Sequence, residues 1–391
     1  MGAPCGCRRR SSAVSVVIVG GGQGGFQAAV SLRAEGYDEP ITIIGEEPHL
    51  PYQRPPLSKG MLLGKQEERH AVLRPPEFYQ SQRIELITGR RIASVAELPP
   101  HDWVILATGA RNRMLRLPGS ERVCYLRTLG ESLELKRRLG EAQSVAIIGG
   151  GFIGLEVAAA ARTLGKDVTL LEAGPRLMGR VVAPVVSEYF RAQHETRGVR
   201  VVLNANVERI EDVHADLIVA GIGVVPNDEL AREAGLAVSN GIAVNERLET
   251  SNARIFAIGD CAEYPNPYAG ARVRLESVQN AIDQAACVAK TITGKPAAYN
   301  AAPWFWSDQF DIHLQMAGLA PDYDQTMTRG DPASGKFSVF YFRDGLLKSV
   351  DSINRAAEHL TARKLIASHA VVSPEQAADE SFELKSAIIS K

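Results

Sequence analysis

The chain has 391 residues, with 44 Lys and Arg against 45 Asp and Glu and a formal net charge of −1. This length exceeds one ordinary hydrophobic core, so we expect two or three domains, and the balanced charge argues against a nucleic-acid-binding protein. The longest apolar runs are the size of a strand, so no membrane-spanning segment is expected. The few, scattered cysteines favour a reducing compartment. We therefore predict a soluble, cytoplasmic protein with a disordered tail at residues 1–13.

The first motif is an apolar run, residues 16–19, that breaks into Gly-x-Gly-x-x-Gly at Gly20, Gly22 and Gly25 and continues into a helix-forming segment. Strand, tight turn and helix in this order are typical of a dinucleotide-binding unit. The glycines allow the turn, the approach of a pyrophosphate and close packing of helix on strand. Glu46 follows the next apolar run, where a ribose-binding acid is expected. The alternative is an ordinary glycine-rich turn between a strand and a helix.

A proline-rich loop, residues 48–59, follows and carries Arg54 and Lys59. Closely spaced prolines forbid regular helix and stiffen the loop. Its two cations could serve a cofactor phosphate or a redox ring, and the alternative is a solvated surface loop. The next buried run, residues 103–106, ends at Ala107 and other small residues that permit a cofactor to approach, so we expect it to return to the first sheet.

The strand–glycine turn–helix pattern then occurs a second time, with Gly149, Gly151 and Gly154 in the turn and Glu172 at the end of the following strand. Two dinucleotide folds in one chain indicate a bound flavin and a nicotinamide cofactor whose rings stack for hydride transfer. A duplicated fold that has lost one ligand is the alternative. Glu172 favours NADH over NADPH, because its carboxylate would repel a ribose 2′-phosphate. Arg176 and Arg180 nearby argue the other way.

The rest of the chain contains three further signals. A strand and glycine turn near Gly223 ends the second fold, and Asp260 ends another apolar strand, where it could accept hydrogen bonds from polyol hydroxyls. From residue 303 the composition changes to aromatic residues and alternating strands. Helical patterns near 355–368 and 374–387 then complete a smaller α+β unit, which we expect to be an interface or lid domain.

Several motifs together resemble the FAD-dependent pyridine nucleotide oxidoreductases, and more narrowly the putidaredoxin-reductase-like ferredoxin reductases of bacterial oxygenase systems. They are the two glycine fingerprints, Leu50–Lys59, Ala107–Gly109, Gly221–Gly223, Ile258–Asp260, Glu276–Ala281 and Trp304–Gln309. The resemblance implies an α/β protein with two Rossmann-like dinucleotide-binding domains in a glutathione-reductase-like architecture, plus a C-terminal α+β domain. The implied boundaries are an FAD-binding domain at 14–117 and 247–310, an NAD-binding domain at 118–246 and a C-terminal interface domain at 311–391.

The resemblance also implies a role for individual residues. The FAD contacts would be Gly20, Gly22, Gly25, Glu46, Arg54, Lys59, Ile92, Ala107, Arg127, Asp260 and Val278. The NADH contacts would be Gly149, Gly151, Ile153, Gly154, Glu172 and Gly223. Nearest the reaction, Lys59 would lie by the flavin ring, Glu156 by the nicotinamide, and Trp306 on the route to the electron acceptor. The alternative for Trp306 is an ordinary core aromatic. No metal site is expected.

The implied activity is that of a ferredoxin–NAD(+) reductase, which passes electrons from NADH through FAD to an acidic 2Fe-2S ferredoxin of a cytochrome P-450 monooxygenase system. The alternatives are the reductase of an aromatic-ring dioxygenase, a rubredoxin reductase and a slow-turnover FAD redox sensor. No cysteine pair follows the first fingerprint, so electrons should leave the flavin directly, one at a time. Arg363 and Lys364 are candidates for docking the ferredoxin, and the alternative is that they form a solvated helix face. The connections at 90–103 and 207–216 are shorter than the hairpins usual in the family, which predicts weakened packing there.

Overall fold

The computed structural model describes residues 14–388, so the predicted tail at residues 1–13 lies outside the described residues. The strands are Val16–Val19, Ile41–Ile44, Ile84–Ile87, Trp103–Leu106, Ala110–Asn112, Val123–Cys124, Ser144–Ile148, Asp167–Glu172, Val199–Leu203, Leu217–Ala220, Val224–Pro226, Val238–Ser239, Gly241–Ala243, Ile255–Ala257, Ala262–Asn266, Ala271–Val273, Trp304–Gln309, Ile312–Gly318, Gln325–Asp331, Lys336–Arg343 and Leu346–Ile353. The α-helices are Gln23–Ala34, Glu68–Ala71, Pro76–Ser81, Leu129–Glu141, Phe152–Thr163, Pro184–Thr196, Glu229–Glu233, Val278–Ile292, Ala356–Ala367 and Pro374–Ala378. Among these described helices, none is long and apolar enough to cross a membrane.

The first sheet is parallel, and its central strands are buried on both faces, which explains their continuous apolar sequence. Its spatial order is Ile255–Ala257, Trp103–Leu106, Val16–Val19, Ile41–Ile44 and Ile84–Ile87. The run at 103–106 therefore returns to the first sheet, as the sequence predicts. Helices Gln23–Ala34 and Val278–Ile292 pack against each other beside the sheet.

The second sheet repeats this arrangement within one continuous stretch of chain. Its order is Val123–Cys124, Leu217–Ala220, Ser144–Ile148, Asp167–Glu172 and Val199–Leu203, and all neighbouring pairs are parallel. Helix Phe152–Thr163 follows the glycine turn and packs on the sheet. The predicted pair of Rossmann-like units is thus confirmed. We call them the first and second units.

The C-terminal unit is an antiparallel five-stranded sheet with helix Ala356–Ala367 packed on it. Its order is Trp304–Gln309, Ile312–Gly318, Leu346–Ile353, Lys336–Arg343 and Gln325–Asp331. This confirms the predicted α+β class. The helical pattern expected at 374–387 forms only the short helix Pro374–Ala378 and a 3₁₀ turn at Leu384–Ala387.

Two of the predicted domain boundaries differ from the structure. The C-terminal unit begins at residue 304 rather than 311, because strand Trp304–Gln309 pairs along its length with Ile312–Gly318. The second unit ends well before residue 246, because Leu230, Leu236 and Ile242 are buried in the core of the first unit. At both places a turn in the sequence joins two elements of the same unit rather than two units.

The two short connections each contact another part of the chain. On the second unit, Ile210 is fully buried and joins Val213 in the apolar cluster against the sheet. On the first unit, Ser94 caps the 3₁₀ turn Val95–Glu97 and its hydroxyl donates to Glu233 at 2.8 Å. The second-unit connection therefore packs on its sheet, and the first-unit connection is joined to the chain around Glu233 by a surface hydrogen bond. The weakened packing expected at the two connections stays a prediction.

Candidate functional site

A cavity of about 680 Å³ extends from the first glycine turn to the place where all three units meet. We call it the central cavity. It opens at the carboxyl ends of the first sheet's strands, where open α/β sheets bind their ligands. Its volume is within the range of cofactor and ligand sites. The sequence-predicted residues that line it are Gly20, Gly22, Glu46, Arg54, Lys59, Ala107, Arg127, Ile153, Glu156, Asp260, Val278 and Trp306.

The glycine turn at one end of the central cavity requires glycine for two different reasons. A Cβ on Gly20, whose φ is +123°, would overlap the carbonyl oxygen of Ala107, and a Cβ on Gly25 would overlap that of Gly20. A Cβ on Gly22 would meet no atom of a residue distant in the chain within 4 Å. Gly22 is the N-cap of helix Gln23–Ala34, so the free space there lies at the positive end of a helix. This empty cradle fits the pyrophosphate of a dinucleotide.

The second glycine turn has the same internal constraints. A Cβ on Gly149 would overlap the carbonyl oxygen of Gly221, and a Cβ on Gly154 would overlap that of Gly149. Glu172 lies beside this turn and its carboxylate accepts the backbone N–H groups of Gly150 and Gly174, both at 2.6 Å. The glutamate is therefore held in place next to the turn before any ligand arrives.

Glu156 is the buried charge at the far end of the central cavity, with only 4% of its surface exposed. Lys59 Nζ lies 2.9 Å from Oε1 of Glu156, and the Ser307 hydroxyl donates to the same oxygen at 2.7 Å. The Ser58 hydroxyl donates to Oε2. A buried carboxylate needs such partners, because desolvation without them is costly. Glu156 thus joins the proline-rich loop of the first unit to the C-terminal sheet.

A second set of charges borders the middle of the cavity. Arg54 donates to Glu47 at 2.8 Å and to the backbone carbonyl of Arg127 at 2.6 Å. Arg127 in turn forms an ion pair with Asp260. Tyr52 connects this set to helix Leu129–Glu141, because its hydroxyl accepts the backbone N–H of Leu129 at 2.9 Å. Burial raises the pKa of Tyr52 above its ordinary value, so this hydroxyl keeps its proton.

Trp306 forms part of the cavity wall on the side of the C-terminal unit. It is half-buried and stacks on Trp304, with ring centroids 5.5 Å apart and planes inclined by 28°. The guanidinium of Arg363 lies over the outer ring, 4.4 Å from the centroid of Trp304. Aromatic and cationic side chains therefore run continuously from the cavity to helix Ala356–Ala367.

The structure separates the remaining predicted residues from the central cavity. Ile92 is buried in the core of the first unit and is not among the cavity-lining residues. Gly25 lies beneath the first turn. The residues that belong to or border the second turn, away from the central cavity, are Gly149, Gly151, Gly154, Glu172 and Gly223. Sequence reasoning missed Glu47, Ser58 and Ser307, whose contacts with Arg54 and Glu156 no local pattern reveals.

Comparisons with known proteins agree with this geometry. Residues 14–285 match the pyridine nucleotide-disulphide oxidoreductase family, and residues 304–388 match the reductase C-terminal family. Rhodocoxin reductase of Rhodococcus erythropolis is 46% identical over 403 residues, covering 96% of this chain and 94% of that protein. The solved ferredoxin reductase for the CYP199A2 system from Rhodopseudomonas palustris has a TM-score of 0.93 at 43% identity, covering 96% of this chain and 100% of that one. The covalent putidaredoxin reductase–putidaredoxin complex gives a TM-score of 0.91 at 37% identity, with 96% and 98% coverage.

Fold, site and comparisons define a flavoprotein oxidoreductase that uses FAD and NAD(P)H. The chain belongs to the pyridine nucleotide-disulphide oxidoreductase family. Relatives at 39% and 38% identity are named ferredoxin–NAD(P)(+) reductase of Sphingomonas sp. and putidaredoxin reductase of Pseudomonas putida. The predicted family, enzyme class and cofactors are thereby confirmed. The residues present fit FAD, because the open cradle at Gly22 and the polar groups beyond it lie along one continuous cavity.

Proposed function

We propose that this protein is a cytoplasmic NADH-dependent ferredoxin reductase that serves a cytochrome P-450 monooxygenase system. The observation that carries the proposal is the extent of the central cavity, which joins the first glycine turn to the Lys59–Glu156 pair and to Trp306. When bound, FAD supplies the chemistry that accepts two electrons and one proton as hydride from NADH and returns the electrons singly. The protein itself has to bind FAD and NADH, orient their rings and exclude water.

The residue roles follow from position in the cavity. Gly22 and the helix N-terminus behind it would hold the pyrophosphate of FAD, and Glu46 would hold the adenosine ribose. Asp260, oriented by Arg127, would accept hydrogen bonds from the ribityl chain. Lys59 and Glu156 lie at the cavity end that the second unit's helix Phe152–Thr163 reaches, where the nicotinamide would meet the flavin ring. Orientation at this point would contribute to the rate, because hydride transfer needs close and aligned rings.

The roles in NADH binding rest on the second turn. The N-terminus of helix Phe152–Thr163 would face the pyrophosphate, and Glu172 would accept a hydrogen bond from the adenosine ribose. Ile153 lies between this turn and the central cavity and is 43% exposed. A nicotinamide cofactor crossing from one turn to the other would cover this apolar side chain, which is consistent with its otherwise unfavourable exposure.

An acidic 2Fe-2S ferredoxin would dock at the outer end of the Trp306–Trp304–Arg363 line. A nearly neutral protein attracts an acidic partner through a local positive patch. Arg363 covers Trp304, while Lys364 beside it is exposed on the same helix. Leu360, one turn earlier, is 57% exposed and adds an apolar contact at the centre of the patch. The short aromatic path would then lie between the docked partner and the cavity.

Rapid mixing and acceptor assays test the proposal. NADH should reduce the bound flavin within a second, and the reduced protein should pass electrons to a 2Fe-2S ferredoxin of a P-450 system. Flavin reduction over many seconds, with a long-lived charge-transfer band, would instead indicate a redox sensor. No reduction at all would refute the assignment.

The acceptor has a second candidate class. Relatives at 40% and 39% identity are named as the ferredoxin reductase component of the anthranilate 1,2-dioxygenase system and as rubredoxin–NAD(+) reductase. Parallel assays with a P-450-system ferredoxin, a dioxygenase ferredoxin and a rubredoxin, at equal ionic strength, would separate these acceptors by their kcat/KM. Preference for either of the latter two would retain the reductase activity and change its partner.

A further inference from the structure

A line of buried polar side chains leads from helix Pro184–Thr196 to the carboxylate of Glu156. His194, Gln309 and Ser307 are each 0% exposed. His194 Nε2 lies 3.0 Å from Gln309 Oε1, Gln309 Nε2 lies 3.3 Å from Ser307 Oγ, and Ser307 Oγ lies 2.7 Å from Glu156 Oε1. We call His194, Gln309 and Ser307 the polar trio. Its members come from the second unit and the C-terminal unit.

The direction of every hydrogen bond in the trio is determined by chemistry. An ionised carboxylate only accepts hydrogen bonds, so the single hydroxyl proton of Ser307 points at Glu156. Ser307 must therefore accept from Gln309, whose NH₂ group donates and whose carbonyl oxygen faces His194. That oxygen needs a donor, which places the ring proton of His194 on Nε2. All protons of the trio thus point toward Glu156.

Two further observations on His194 agree with this order. Its Nδ1 has no hydrogen-bond partner among the described residues, as suits a nitrogen that carries no proton. Burial lowers the pKa of His194 to about 4, so the ring stays neutral near pH 7. The neutral ring with its proton on Nε2 fixes the orientation of the Gln309 amide. A flipped amide would present its oxygen to Ser307 and draw the serine proton away from Glu156.

The geometry assigns Ser307, oriented by Gln309 and His194, as a positioning residue for the Lys59–Glu156 pair. Ser307 and Lys59 share Oε1 of Glu156. The serine therefore sets where that oxygen lies, and the oxygen sets where the ammonium of Lys59 stands in the central cavity. Without the serine proton the carboxylate can turn toward Lys59 and draw it away from the ring site. This inference rests on the proposed function for its kinetic readout.

Three substitutions of Ser307 in the FAD-loaded protein separate hydrogen bonding from packing. Ser307→Ala removes the hydroxyl and its volume, Ser307→Cys restores volume with only a weak donor, and Ser307→Thr retains a hydroxyl. We expect the alanine and cysteine variants to show flavin reduction about tenfold slower at saturating NADH, equivalent to about 1.4 kcal/mol, with an unchanged Kd for NADH. Their bound flavin should also show a shifted visible absorption band. The threonine variant should keep the original rate and band.

Ser338 provides a matched control. It is also a fully buried serine of the C-terminal sheet, and its hydroxyl donates to another glutamate, Glu358, away from the central cavity. Ser338→Ala should lower Tm by a similar amount and leave the flavin band and the reduction rate unchanged. If it alters them as Ser307→Ala does, the effect is general loosening of the sheet and the proposal fails.

Other outcomes would also overturn the proposal. A cysteine variant as fast as the original protein would show that volume alone matters. Unchanged rate and spectrum in all Ser307 variants would show that the serine positions nothing. Nitrogen NMR of the ¹⁵N-histidine-labelled, FAD-loaded protein gives a test without turnover: we expect the Nε2–H form of His194, and the Nδ1–H form would reverse the hydrogen-bond order. These outcomes differ from failure of the proposed function, in which NADH does not reduce the flavin of the original protein.

Discussion

Glu172 should make this enzyme prefer NADH, and replacing it by Gln should reduce that preference. The carboxylate is fixed by the N–H groups of Gly150 and Gly174, so it cannot turn away from an incoming 2′-phosphate. Arg176, which could have offset the repulsion, already donates to the backbone carbonyls of Val182 and Gly179 at 2.5 and 2.6 Å. These bonds hold the guanidinium against the backbone, so it is less free to turn toward a 2′-phosphate, although it keeps its positive charge.

The size of the effect follows from Coulomb's law. Two unit charges about 4 Å apart repel by about 1 kcal/mol in bulk water and about 4 kcal/mol at an effective dielectric constant of about 20. Glu172 is half-buried, so a value between these limits applies. At about 1.4 kcal/mol per tenfold change, we expect a preference of about ten- to several-hundredfold in kcat/KM. Glu172→Gln keeps the shape and removes the charge, and should narrow the preference at least tenfold.

The assay is steady-state reduction of ferricyanide with NADH and with NADPH, which needs no docked protein partner. Glu46→Gln is the matched control, because Glu46 ends the corresponding strand region of the first unit and lines the central cavity. It should weaken FAD binding and leave the NADH to NADPH ratio unchanged. Equal use of both cofactors by the original protein, or an unchanged ratio in Glu172→Gln, would refute the role of Glu172.

Three further predictions concern the cofactor, the partner and stability. Gly22→Ala should fold with a Tm near that of the original protein yet purify with little FAD, whereas Gly20→Ala should lose both thermal stability and bound FAD, as measured by thermal unfolding and flavin-to-protein absorbance. A Gly22→Ala protein that purifies yellow would contradict a pyrophosphate site at Gly22. Lys364→Glu, alone and with Arg363→Glu, should slow ferredoxin reduction severalfold and flatten its salt dependence, while ferricyanide reduction persists. The control Lys336→Glu, at an exposed lysine near the opposite edge of the C-terminal sheet, should leave ferredoxin reduction and its salt dependence unchanged. An unchanged salt dependence in the Lys364 and Arg363 variants would place the docking site elsewhere. Burial raises the pKa of Asp351 to about 7 from an ordinary value of 3.8, so the folded state retains a proton that the unfolded state releases, and stability should fall as pH rises from 4 to 7. In the original protein the free energy of unfolding, measured by urea unfolding at each pH, should fall by about 1.4 kcal/mol per pH unit over this range. In Asp351→Asn this pH dependence should largely disappear, and its persistence would contradict the raised pKa.

The parts of the fold that sequence predicted are those that local chemistry determines. Each glycine fingerprint contains its own reason for the turn, since a Cβ at Gly20 or Gly149 would overlap a neighbouring carbonyl. The buried parallel strands beside them are continuous apolar runs. Domain boundaries are harder to read from sequence, because strand Trp304–Gln309 belongs to a sheet only through its pairing partner. No property of its own six residues distinguishes the two assignments.

The site shows the same division. Lys59, Glu156 and Trp306 were expected near one another, and the cavity brings them together. The motif Trp304–Gln309 was singled out in the sequence, yet its Ser307 was not predicted to bind Glu156, which lies 151 positions away in the chain. Such a contact depends on how the three units pack against one another. A single sequence contains both residues but does not show that they meet.

Because the edge strand Ile255–Ala257 comes late in the chain, the sheet of the first unit cannot be completed until late in synthesis. Strands Val16–Val19 and Trp103–Leu106 leave the ribosome early, but the sheet they belong to is completed only by a strand made after the whole second unit. The second unit is continuous in the chain and can fold as soon as it emerges. Until that strand is made, the first unit therefore has one sheet edge unpaired and lacks Asp260. Acquisition of FAD becomes a late event, and a chaperone that shields that edge would protect the protein during the interval.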